Sequence, residues 1–294
     1  MGQKMYAEAK RDAFSKLLHK RGRLKLIFEK LWVFLKRDFL TASSYKFGFF
    51  LDAVGIIGAM LTFFFIGELF KNTHIPLLDQ YGGDYFSFVI IGVAFSSYLG
   101  SALSNFGGVI GVEQGMGTME ALIMTPTRIS TILIGGSIWN LIFTSLRVTF
   151  YLLVGVFLFH MKLKVINLTA IAAILILSLA PFISLGIMSA SLILAFKRGD
   201  PVSFLFDGAS KFLAGAFFPV AILPLWIKKL SAFIPLTYSL RALRDVLLAQ
   251  GTLRDVWCDL SILLLFSIIL FPISLKCFKL ALRVAKQQGS FCQF

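Results

Sequence analysis

Residues 113–126 read Glu-Gln-Gly-Met-Gly-Thr-Met-Glu-Ala-Leu-Ile-Met-Thr-Pro, a polar island between two long apolar runs. A Gly-Met-Gly-Thr start, a short apolar stripe and a Thr-Pro stop predict a small helix at a membrane surface. Met116, Met119 and Ile123 fall near one face of that helix, with Leu122 beside them. The chemistry such a set can do is docking. An apolar knob fills a cleft on a partner, while Glu113 and Glu120 pair with basic residues at its rim. A plain amphipathic surface turn is the simpler alternative.

Signals for bond-making chemistry are missing. There is no H-E-x-x-H, C-x-x-C or G-x-S-x-G, and no G-x-x-x-x-G-K-[ST] to cradle a nucleotide. Cys258, Cys277 and Cys292 form no close pair and no metal spacing, and His19, His74 and His160 are scattered. We expect no catalytic residue, no metal and no cofactor on this chain. Gly107, Gly111 and Gly115 recur at four-residue spacing, which suits close helix packing or a turn better than phosphate binding.

The remaining candidates are polar or aromatic residues inside apolar runs. Arg147 sits mid-run with Asn140 two turns earlier. An intramembrane Arg is costly, so it is either paired structurally or contacts an anionic substrate head. Asp207 and Lys211 have the i, i+4 spacing of a helical ion pair. Asp52 and Glu68 lie near opposite ends of their run and are expected to reach the interfaces. Phe63, Phe64, Phe217 and Phe218 either line an apolar path or face lipid.

The elements that carry these residues follow from hydropathy. The chain is 57% hydrophobic and 15% charged, with a mean hydropathy of +0.83. A soluble domain carries far more charge. Roughly 20 apolar residues cross about 30 Å of hydrocarbon. Six runs qualify: 47–70, 85–106, 130–159, 168–196, 202–223 and 256–280. Helices are expected, because backbone in lipid must satisfy itself and the short alternating segments of a barrel are absent.

Lys and Arg orient the runs. They crowd the region before Phe47 and recur in the tail at Lys276, Lys279, Arg283 and Lys286. Six spans put both basic ends on one side, the cytoplasmic side of a plasma (inner) membrane. The net charge of +14 is therefore no sign of nucleic acid. Lys228, Lys229, Arg241, Arg244 and Arg254 dissent by falling outside. We expect them to snorkel to outer headgroups or to meet anionic cargo. The first span begins only at Phe47, so it is expected to be an uncleaved signal anchor.

Two further elements are predicted. Leu24, Ile27, Phe28, Leu31, Phe34 and Leu35 follow i, i+3, i+4, i+7 spacing, with basic residues between them. This amphipathic helix over 23–40, with Trp32, suits the headgroup region; a soluble helix bound to a partner is the alternative. Residues 216–245 are an apolar run cut by Pro219, Pro224 and Pro235. Proline is tolerated in a helix's first turn and breaks its interior. Two short helices, carrying Trp226 and Tyr238, are expected to form a re-entrant hairpin at the exit. A seventh broken span is the alternative.

Three of these stretches resemble one family, type-2 ABC-transporter permeases. The stretch E-x-G-x-G-T-x-E-x-L-x-x-T-P resembles its coupling-helix region. The run Phe-Phe-Pro…Leu-Pro-x-Trp…Ile-Pro-Leu-Thr-Tyr…Leu-Arg resembles its segment before the last helix. The helix over 23–40 resembles its connecting helix. The resemblance covers nearly the whole chain. It implies an all-α polytopic membrane protein with six transmembrane helices, an interfacial helix, a cytoplasmic coupling helix and a re-entrant hairpin. It also implies residues 1–46 as a basic cytoplasmic region, 47–283 as the permease domain and 284–294 as a cytoplasmic tail. A second copy of the chain and two separate ATP-binding cassette subunits, which bind ATP and Mg, would complete the assembly. The expected activity is export of an amphiphile such as a drug, lipid or glycolipid, or else of a lipid-linked polysaccharide. An ion-coupled carrier or structural membrane subunit is the alternative of another class; a carrier should carry inverted repeats, and none is visible.

Overall fold

A computed structural model describes residues 23–70, 76–115, 129–164, 167–196 and 201–287. Among the described residues the chain is all-helical, with no strand. The helices are α1 (Arg23–Ser44), α2 (Lys46–Phe70), α3 (Tyr85–Gly115), α4 (Ile129–Phe157), α5 (Leu168–Phe196), α6 (Pro201–Leu213), α7 (Leu225–Ser231), α8 (Pro235–Leu247) and α9 (Trp257–Gln287). Short 3-10 pieces occupy Pro76–Tyr81 and Val220–Ile222. Five of the helices are long and apolar enough to cross a membrane: α2, α3, α4, α5 and α9.

Helix α3 is the hub. It packs against α5, α4, α6, α8 and α2. Its apolar window is 78% buried, against 11% for α2. The core is built from Phe88, Phe95 and Leu99 of α3, Ile174 and Phe182 of α5, and Leu236 and Leu240 of α8. Helix α2 instead presents Phe50, Val54, Leu61 and Phe65 outward, and α9 presents Leu265 and Ile268. Such continuous apolar outer faces are what hydrocarbon requires. Asp84 starts α3 by accepting the backbone N–H groups of Phe86 (3.2 Å) and Ser87 (3.1 Å), as an N-cap carboxylate does. Gly186 lets α5 reach α3. A Cβ there would lie 2.8 Å from Cδ2 of Phe106 and press on the carbonyl of Ala102.

One expected span is corrected. The apolar run 202–223 is not one crossing helix. Helix α6 has 13 residues, about 20 Å at 1.5 Å per residue. It stops because Gly215 adopts φ +74°. The N–H of Ala216 then bonds the carbonyl of Lys211 (2.9 Å), and that of Gly215 bonds Phe212 (3.2 Å). This paired closure is a Schellman C-cap, which needs a left-handed residue that glycine supplies at no steric cost. Pro219 then caps the short 3-10 turn Val220–Ile222. Helices α7 and α8 then begin at the prolines that the spacing singled out, Pro224 as N-cap and Pro235 at N1.

The segments between spans gather at one end of the bundle. The N–H of Lys164, between α4 and α5, bonds the carbonyl of Leu247 at the end of α8 (2.9 Å). Gln80 and Tyr81, between α2 and α3, share a cavity wall with Lys228 and Arg241 of α7 and α8. At the other end α1 runs along the start of α4. There Phe39 meets Trp139 edge to face at 5.4 Å, and Phe34 lies over Gly135.

Candidate functional site: a polar groove and an arginine-stapled hairpin

A cavity of about 860 Å³ forms a groove between α1, α3, α4 and α6. Its α3 wall carries Ser97, Gly100, Ser101, Ser104 and Asn105, which share one helical face by their spacing. Its α4 wall carries Trp139, Asn140, Phe143, Thr144 and Arg147. The polar groups are tied together across the helices. Thr144 donates to Ser101 at 2.8 Å, Asn140 donates to Asn105, and Asn105 donates to the carbonyl of Ser137 at 3.3 Å. In lipid such groups are stable only when paired or facing water.

Two ion pairs bound the groove. Nε of Arg147 donates to Oδ2 of Asp52 at 3.0 Å, and Nη2 donates to Oδ1, so the pair is bidentate. The sequence-based reading of Asp52 as an interface-seeking residue is thereby corrected. The partner of Arg147 is that carboxylate, brought by α2 from 95 positions upstream. Asp207 and Lys211 pair at 2.6 Å, as their spacing predicted. Asp207 fits because its Oδ1 occupies the space where a side chain at Gly100 would begin, 2.8 Å from that Cβ position.

The aromatic path candidates do not converge on one wall. Phe63 stacks on Phe217 at 5.9 Å. Phe64 instead joins Phe86 and Phe159, and Phe218 packs edge to face on Phe212 at 4.9 Å. Of the five path candidates, only Arg147 lines the groove. Met116, Met119, Glu120, Leu122 and Ile123 lie outside the described residues. Glu113 falls in the last turn of α3, and its side chain is likewise outside them. Asn105, Ser101 and Thr144 were not singled out in the sequence. Their only signal there was small polar residues recurring along an apolar helix.

The hairpin is held from beneath by arginines. Arg244 is 3% exposed and donates to the carbonyls of Phe88 (3.2 Å), Gly215 (2.9 Å) and Ala216 (2.9 Å). Its guanidinium lies 3.4 Å from the ring centroid of Phe88. One side chain therefore fastens α8 to both α3 and the C-cap of α6. Arg241 pairs bidentately with the buried Asp259 of α9 and lies over the ring of Tyr238. Tyr238 in turn donates to the carbonyl of Ala232 at 3.0 Å. The expectation that the basic residues here snorkel is corrected for Arg244, which is turned inward; Arg241 is paired but half-exposed. Trp226 and Pro224 are exposed, while Pro219 and Pro235 are buried.

A bundle of long apolar helices with this order of elements has a match among known families. Residues 29–248 match the ABC-2 type transporter family. The chain belongs to that family. ABC-2 permeases are multi-pass membrane subunits that work with separate ATP-binding subunits. The chain is also similar to Nodulation protein J of Rhizobium leguminosarum bv. viciae, with 28% identity over 194 residues. That match covers 66% of this chain and 74% of the relative.

Proposed function

We propose that this ABC-2 permease pairs with a second copy of itself and two ATP-binding cassette subunits to export an amphiphile with a polar head. The observation that carries this reading is the groove of about 860 Å³, walled by hydroxyl and amide side chains within otherwise apolar helices. Ser, Thr and Asn present both donors and acceptors, which suits a polyhydroxylated head more than a wholly apolar drug. Within the drug, lipid and glycolipid range a glycolipid is therefore favoured, and a lipid-linked polysaccharide is the second reading on the same ground.

Five long spans, with α6 and the non-helical stretch that follows it making the sixth crossing, keep both termini cytoplasmic in the plasma (inner) membrane. On this topology the groove opens toward the cytoplasmic end, where α1 lies as an interfacial helix. The hairpin dips re-entrantly into the outer leaflet and caps the exit. Residues 113–126 form the coupling helix, with Met116, Met119, Leu122 and Ile123 as the knob and Glu113 and Glu120 at the rim. ATP-driven closure of the cassette dimer pushes this helix and tilts α3 and α4 about the groove. Residues 1–46, 47–283 and 284–294 are then cytoplasmic region, permease and tail.

The test is co-expression with the cognate ATP-binding subunit, mass measurement of the purified complex, and ATPase assay in vesicles with and without glycolipid. The expected result is a two-plus-two complex stimulated by glycosylated lipid. Glu120→Arg should lose the ATP-binding subunit while the chain stays folded. A stable monomer that transports without an ATPase would sink the proposal.

A further inference from the structure

A second cavity, about 230 Å³, lies beneath the hairpin and away from the groove. Every ionised side chain on its wall, among the described residues, is cationic: Lys228, Arg241 and Arg244. Arg241 is neutralised by Asp259. Arg244 is not neutralised in that way. Its three hydrogen bonds run to backbone carbonyls, which satisfy donors but cancel no charge. No carboxylate among the described residues forms an ion pair with it. A guanidinium carries five N–H donors, so two remain for another acceptor. Lys228 brings a second positive charge, with no ion pair among the described residues. Tyr81 and Gln80 add a hydroxyl and an amide to the same wall. A buried charge with no ion-paired counter-charge is costly. The adjacent Asp245 acts on Arg244 only through space, and a guanidinium beside an ammonium is matched by an oxyanion with several acceptors.

We infer that this cavity is a binding site for a phosphate-class oxyanion held between Arg244 and Lys228. The ligand links α8 and α7 to α3 and to the C-cap of α6, so it stabilises the hairpin. The inference does not depend on what the groove transports. The oxyanion has two sources, free phosphate or the phosphate of a lipid headgroup. Leu225, Trp226, Leu230 and Phe233 are exposed around the hairpin and would lie along the acyl chains of a bound lipid.

The test is thermal unfolding of the full chain, purified in an uncharged maltoside detergent. One arm titrates inorganic phosphate, and the other titrates monomeric dihexanoyl phosphatidylglycerol. Sodium chloride is matched for ionic strength in both. The expected result is a saturable rise in the unfolding temperature. Lys228→Glu should weaken the apparent affinity about tenfold or more, the loss of one charge-assisted hydrogen bond. Lys229→Glu, an equal charge change at an exposed lysine off the cavity wall, should bind like the wild type. Arg244→Gln should abolish the rise if it folds; Lys228→Glu keeps the test decisive if it does not. Saturation by phosphate alone assigns a free anion, and saturation only by the lipid assigns a headgroup. No saturable rise with either ligand overturns the inference, as does the same affinity in Lys228→Glu and wild type.

Discussion

Removing one partner of the Asp52–Arg147 pair should damage the protein more than removing both. At 3.0 Å and an effective dielectric near 20, the Coulomb attraction is about 5 kcal/mol. Breaking a fully buried pair by deleting one partner costs about 3–5 kcal/mol, because the survivor is left uncompensated. The two side chains are 36% and 30% exposed within the monomer, so part of that loss is recovered from water or headgroups. We therefore expect about 2 kcal/mol for Asp52→Asn and somewhat more for Arg147→Gln. The double variant should recover most of this, giving a coupling of about 2 kcal/mol in a double-mutant cycle. The assay is thermal unfolding of each variant in detergent, followed by transport in vesicles. Additive single effects, or single variants as stable as the wild type, would refute the pairing argument. Loss of transport in Arg147→Gln, with stability and Asp52→Asn transport both intact, would instead give Arg147 to the substrate.

Packing and topology give two further predictions. Gly186→Ala should destabilise by about 1–3 kcal/mol, because its Cβ meets Phe106 and the Ala102 carbonyl. Gly55→Ala, with nothing within 4 Å, should be near neutral, and equal unfolding temperatures for the two would refute the close α3–α5 approach. In a chain with Cys258, Cys277 and Cys292 replaced by serine, Lys229→Cys and Arg254→Cys should react with an impermeant maleimide on intact cells. Lys36→Cys should react only after the cytoplasm is opened, and the reverse pattern would invert the topology.

Hydropathy and proline spacing determined much of this protein without its structure. Long apolar runs must become helices in lipid whatever they pack against, so α2, α3, α4, α5 and α9 were legible from composition alone. Pro224 and Pro235 fixed the starts of α7 and α8 because proline restricts its own backbone locally. The i, i+4 pair of Asp207 and Lys211 was legible for the same reason. Only the tertiary structure ended α6 at Leu213, since the run 202–223 is apolar on both sides of Gly215. Only it brought Asp52 to Arg147, Asn105 to Asn140, and Arg244 to the carbonyls of Phe88, Gly215 and Ala216. Hydropathy reports what each residue prefers as a solvent. It carries no information about which polar groups, far apart in the chain, will satisfy one another once helices pack.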